Sequence, residues 1–109
     1  MERYNYYNID NVGETVNLKG WVSKVRNLGG LIFIDLRNRT GIMQVVVKPE
    51  CKSYDIASTL KNEYVIAITG TIVERENKND KILTGQIEVD VDELILINSS
   101  KEIPFTISD

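Results

Sequence analysis

Gly29-Gly30-Leu31-Ile32-Phe33-Ile34-Asp35-Leu36-Arg37-Asn38-Arg39-Thr40-Gly41-Ile42-Met43-Gln44-Val45-Val46-Val47 is the stretch that decides how this chain reads. Two apolar runs rich in β-branched residues flank a short polar segment ending in Gly41, the pattern of a β-hairpin. Side chains on a strand point alternately to its two faces. Ile32, Ile34 and Leu36 therefore share one face, with Phe33 and Asp35 on the other; Met43, Val45 and Val47 alternate with Gln44 and Val46. A turn centred on Asn38 and Arg39 sets Phe33 opposite Gln44, on the face away from the core. An aromatic ring beside an amide is equipped to stack on an unpaired base and hydrogen-bond its edge. The same pair also describes a ring over a small satellite cluster beside a solvated amide, and the hairpin by itself leaves both open.

Outward from the hairpin, the alternation recurs. Toward the N-terminus, Thr15 to Ser23 places Val16, Leu18 and Val22 on one face with Gly20 between them. An interior glycine there suits the bend by which a small barrel curls its first strand. Trp21 falls on the opposite face. Lys24 to Gly30 carries Lys24 and Arg26 into a glycine-closed turn, at the rim of the Phe33 face. Residues 1–13 read as an arm whose Tyr4, Tyr6 and Tyr7 are suited to packing on the barrel.

Toward the C-terminus, Pro49 stops the hairpin. Ser53 to Lys61 then predicts a short helix with Ser53 as N-cap and Ile56, Ala57 and Leu60 as its apolar side. Tyr64 to Val73 alternates again, with Ile66, Ile68, Gly70 and Ile72 in register. Glu74 to Lys81 is a polar loop. Gly85 to Val91 returns with Ile87, Val89 and Val91 inward and Glu88 and Asp90 outward, and Leu94 to Asn98 extends it or pairs with an edge. Residues 99–109, with Pro104, read as the start of a linker. Three strands, a short helix and two more strands, with glycines at the corners, is the layout of an all-β OB-fold, a five-stranded barrel carrying its helix between strands 3 and 4. The barrel itself is expected over residues 14–98.

Composition narrows the function. At 109 residues there is room for one modest core. No apolar run approaches membrane-spanning length and the N-terminus lacks the apolar centre of a signal peptide, so the expected location is cytoplasmic, with no membrane partner. A single Cys51 and no histidine remove internal disulfides, His-containing zinc sites and histidine acid–base catalysis. No metal or cofactor is expected in this segment. Thirteen Lys and Arg against 16 Asp and Glu leave a net charge of −3, a poor balance for coating a phosphate backbone. The charges are segregated, however. From Lys24 to Lys48 five cations (Lys24, Arg26, Arg37, Arg39, Lys48) face only Asp35, whereas from Gly85 onward Lys101 faces six acids. A basic patch on an acidic body suits selective docking.

A family resemblance adds to this. Gly20-Trp21-Val22, then Gly30 to Arg37 and Gly41 to Val46, closely resemble the N-terminal anticodon-binding domain of bacterial-type aspartyl-tRNA synthetases. The likeness continues through Leu60 to Ile66, Thr69 to Arg75, Thr84 to Val89, Ile95 to Asn98 and Ile103 to Phe105. It implies a module that splays the anticodon loop of tRNA(Asp) on its barrel, with Phe33 stacking on the middle base and Gln44 bonding a base edge beside it. It further implies Arg26 at the later letters, Glu88 accepting from the first-letter guanine, and Arg75 at the start of the following loop, where Asn77 and Asn79 also fall. Val25 stands where relatives often carry arginine. The parent enzyme so implied joins aspartate to tRNA with ATP and magnesium and is a homodimer, while this segment is not catalytic alone. Two other readings of the barrel are a general single-strand-binding module, or the equivalent domain of a lysyl or asparaginyl enzyme. A third is a protein-docking barrel with no nucleic acid ligand.

Overall fold

The computed structural model describes residues 7, 9–76 and 85–98. Five strands close into a barrel in the order β1-β2-β3-β5-β4: β1 (Thr15–Leu28), β2 (Leu31–Asn38), β3 (Gly41–Val47), β4 (Val65–Glu74) and β5 (Ile87–Asn98). A single-turn helix, α1 (Tyr54–Ala57), lies between β3 and β4. All pairings are antiparallel except the short β3–β5 closure at Val45↔Val89 and Val46↔Asp90. Closure removes the free edges that an open sheet of this size exposes.

The inward residues of the alternating pattern form the core. Leu18, Val22, Ile34, Leu36, Met43, Val45, Ile66, Ile72, Ile87 and Val89 have no exposed surface, and Tyr7 of the arm packs against them.

β1 is longer than its sequence pattern indicated, because it serves two neighbours. Thr15 to Trp21 pairs with β4, and Trp21 to Leu28 pairs with β2. The switch is a bulge between Val22 and Lys24, where Val22 N–H donates to the Tyr64 carbonyl at 2.7 Å and Val22 carbonyl accepts from Glu63 at 2.8 Å. The extra residue, Ser23, reverses the parity of the strand. Ahead of it Val16, Leu18, Gly20 and Val22 are buried; beyond it Val25 packs on the core and Arg26 stands on the outer surface. Gly29 and Gly30, at φ 59° and 88°, then join β1 to β2 in the two-residue turn whose positive φ at both positions matches the strand twist.

Three further details differ from the sequence expectation, and one open alternative is decided. The second hairpin pairs Asn38 with Gly41, so its turn is Arg39-Thr40 and Phe33 lies opposite Val46, with Asp35 opposite Gln44. The cause is the Asn38 side chain, whose Oδ1 accepts from Thr40 N–H at 2.8 Å and Thr40 Oγ1 at 2.7 Å; this keeps the Asn38 backbone in the strand and moves the turn one residue on. The helix stops at Ala57, and Ile56 is exposed while Ala57 and Leu60 are buried. Ser53 makes no side-chain cap bond; its Oγ accepts the Leu94 N–H at 2.9 Å and ties the helix to β5. Finally, Leu94 to Asn98 is the continuation of β5 along β4, past a register shift opposite Thr69 and Gly70. Gly70 is obligatory at that crossing, since a Cβ there would lie 2.3 Å from the Asp90 carbonyl oxygen.

No helix among the described residues is long and apolar enough to cross a membrane. Tyr4, Tyr6, Asn77, Asn79 and the linker over 99–109 lie outside the described residues.

Candidate nucleic-acid interface

The outward faces of β1, β2, β3 and β5 converge on an open groove of about 420 Å³. All five residues singled out in the sequence line it: Arg26, Phe33, Gln44, Arg75 and Glu88. They arrive from different elements. The bulge turns Arg26 outward directly across from Phe33, and Gln44 lies diagonal to Phe33 on β3. Glu88 comes from β5 opposite Val73, and Arg75 follows β4, its N–H donating to the Gln86 carbonyl at 2.9 Å.

Three of these side chains are joined in a chain. Arg26 Nη2 donates to Gln44 Oε1 at 2.8 Å, and Gln44 Nε2 donates to Glu88 Oε1 at 2.7 Å. Arg26 Nη2 also meets Asp35 Oδ1 at 3.4 Å. Gln44 faces away from the core, as its strand position requires, yet it is only 5% exposed, because its neighbours on both sides cover it. Arg26 Nε is buried with no hydrogen-bond partner. Such a donor costs about 1–3 kcal/mol when left unmade, so the guanidinium carries unused bonding capacity at the groove wall.

Several lining residues were not anticipated. Leu28, Leu31 and Val46 extend the apolar surface beside the half-buried Phe33 ring, and Leu28 is 59% exposed. Reading Gly29-Gly30 as the turn of a β1–β2 hairpin would have found Leu28 and Leu31, which pair across it. Lys48 lines one side, where its Nζ donates to Asp90 Oδ2 at 3.1 Å. The hydrogen bond to Asp90 and that carboxylate's charge hold the Lys48 ammonium above its ordinary pKa of 10.5.

Three cations (Arg26, Lys48, Arg75) thus stand among three carboxylates (Glu74, Glu76, Glu88). A groove so balanced has little net pull on a phosphate backbone, but it offers donors, acceptors and an aromatic face to base edges. Among the described residues no group of three or more His, Cys, Asp or Glu is placed to hold a metal ion.

Comparison with known proteins agrees with this geometry. A family model for tRNA anti-codon domains, described as OB-fold nucleic acid binding domain, matches residues 16–97. The aspartate–tRNA ligase of Exiguobacterium sibiricum is 54% identical over 101 residues, which is 92% of this chain and 17% of that protein. That of Lactococcus lactis subsp. lactis is 50% identical over 115 residues, covering 100% of this chain and 20% of the relative. The chain therefore spans about a fifth of the length of the curated relatives it matches. Among solved structures, asparaginyl-tRNA synthetase from Pyrococcus horikoshii superposes with a TM-score of 0.71 at 28% identity, over 87% of this chain and 21% of that one. An OBody bound to hen egg-white lysozyme, at 15% identity and TM-score 0.78, shares the fold and matches 91% of this chain and 94% of its own.

Proposed function

The chain belongs to the family of tRNA anti-codon OB-fold nucleic acid binding domains, and from that premise we propose that it is the anticodon-recognition module of an aspartate-tRNA ligase, selecting tRNA(Asp) by its anticodon loop. The barrel, residues 14–98, presents the groove, and the loop's bases splay across it. Phe33 stacks on the middle base. Glu88 accepts from the paired N–H donors on the Watson–Crick edge of a first-letter guanine. Arg26 holds the later letters and Arg75 the groove's far wall, while Gln44 stands between Arg26 and Glu88. The observation that carries this reading is the meeting, in one groove, of an aromatic platform with the Arg26–Gln44–Glu88 chain.

In this reading the parent enzyme is cytoplasmic and homodimeric, and its catalytic part uses ATP and magnesium to attach aspartate to tRNA. The 109-residue chain supplies selection alone and forms no aspartyl-adenylate.

The test is a titration of the chain with an anticodon stem-loop bearing GUC against the same loop with the middle U changed to A, at one fixed salt concentration, since such affinities depend steeply on salt. A clear preference for GUC is expected. Equal binding would instead mark a general single-strand module, and binding to neither loop would reject nucleic-acid recognition by this face.

A further inference from the structure

Resting on that anticodon reading, we infer that Lys48 is the groove's contact to the RNA backbone: its ammonium takes a phosphate beside the base stacked on Phe33, and gives up Asp90 to do so. Register puts it there. Phe33 pairs with Val46 and Ile32 with Val47, so Lys48, the residue after β3, falls opposite Leu31 and diagonal to Phe33, within reach of a long side chain. It lines the same groove as Arg26, Phe33 and Arg75, and is the only lysine to do so among the described residues. On its other side Lys48 borders a hollow with Glu50, Asp90 and Asp92. Those carboxylates repel a phosphate backbone and leave the groove side for it.

The three groove cations are not equivalent. Arg26 Nη2 is engaged by Gln44 at 2.8 Å and by Asp35 at 3.4 Å, and Arg75 Nε is buried. A guanidinium is a rigid fork suited to base edges, whereas an ammonium is a point charge whose three donors turn to any anionic oxygen. Lys48 Nζ spends one of them on Asp90 Oδ2 at 3.1 Å. The Lys48 side chain is 44% exposed and that of Asp90 33%, so the pair is solvated and weak. A backbone phosphate therefore replaces the carboxylate at little cost. Glu74, Glu76 and Glu88 cancel any broader attraction along the groove. The phosphate finds its charge at one point, and the contact fixes where the loop lies without reading its letters.

The test titrates the chain and its Lys48→Met, Lys19→Met and Asp90→Asn variants with the GUC stem-loop and with the loop whose middle U is A, over a series of salt concentrations. Lys48→Met should weaken binding of both loops about fivefold, the scale of one exposed ion pair, and keep the preference for GUC. It should also flatten the dependence of log Kd on log salt by about one. Lys19 carries the same charge on the part of β1 that pairs with β4, outside the groove, so Lys19→Met should leave that slope unchanged. Asp90→Asn releases the ammonium and should tighten binding of both loops. Thermal melts confirm an intact barrel in each variant; if Lys48→Met fails to fold, the sign of the Asp90→Asn change decides. An unchanged slope in Lys48→Met, an equal fall in Lys19→Met, loss of the preference for GUC in Lys48→Met, or weaker binding by Asp90→Asn would each overturn the inference while the parent chain still prefers GUC. A parent chain with no such preference would instead refute the anticodon reading itself.

Discussion

At the scale of single residues, Phe33 and Gln44 show how position and environment divide the work. Both occupy outward sites of the second hairpin, and outwardness was legible from alternation alone. Their surroundings were not. Phe33 is half-buried against the apolar strip of Leu31 and Val46, leaving its ring partly open, whereas Gln44 is covered and bonded on both sides. Phe33→Ala should leave the barrel folded and cost about 1–3 kcal/mol of stem-loop binding, the range for loss of one base–aromatic stack. Isothermal titration with circular dichroism as the folding control measures both. A folded variant that binds with unchanged affinity would rule the stacking role out.

At the scale of elements, the bulge in β1 and the tie from Ser53 to β5 matter more than strand and helix propensity, which pointed to a bend at Gly20 and an N-cap at Ser53. Taking up Ser23 as a bulge, rather than in unbroken alternation, sets Arg26 outward at the groove. Deleting Ser23 removes the bulge but leaves Lys24 outward, Val25 inward and Arg26 outward, because each later residue moves up one position in the alternation. The expected loss is about 1–3 kcal/mol, from the disturbed switch of β1 between β4 and β2, with Arg26 still at the groove and loop binding retained. Ser23→Ala, which keeps the residue count, should cost about 1 kcal/mol or less. Urea unfolding of the pair separates length from side chain.

α1 teaches a related lesson. Ser53 has the composition of an N-cap, but the hydroxyl serves the Leu94 N–H, 41 residues away in sequence. Ser53→Ala should therefore cost about 1–3 kcal/mol through a buried unpaired N–H and raise hydrogen exchange at Leu94 specifically. Exchange that rises only in the helix would contradict the tie.

At the scale of the whole molecule, an acidic chain presents a groove of balanced charge, and one ion pair beside that groove joins the closing strands. Lys48 follows β3 and Asp90 sits on β5, the two strands that make the one parallel contact among the described residues. Because Asp90 raises the Lys48 pKa in the folded state above 10.5, the pair's stabilisation is fully present below about pH 10.5 and is lost as pH rises through the folded value. With Lys48 44% exposed, that contribution is about 1 kcal/mol at most. Chemical unfolding from pH 9 upward should show a small alkaline decline that Lys48→Met removes; an identical decline in the variant would place its origin elsewhere.

The sequence by itself determined the five strands, most of their inward faces and the outward placement of Phe33, Gln44 and Glu88, because alternation with period two commits each side chain to a face wherever one face is buried; Arg26 and Arg75 were named by the family resemblance. Tertiary structure decided everything that depends on a partner distant in the chain. It set the parity change at Ser23, which serves the switch of β1 from β4 to β2. It did not set the two-residue shift of the hairpin register, which is local and follows from the bonds Asn38 makes to Thr40. It also set the engagement of Gln44 by β1 on one side and β5 on the other, since no local pattern records which charges closure of the barrel will bring to an amide.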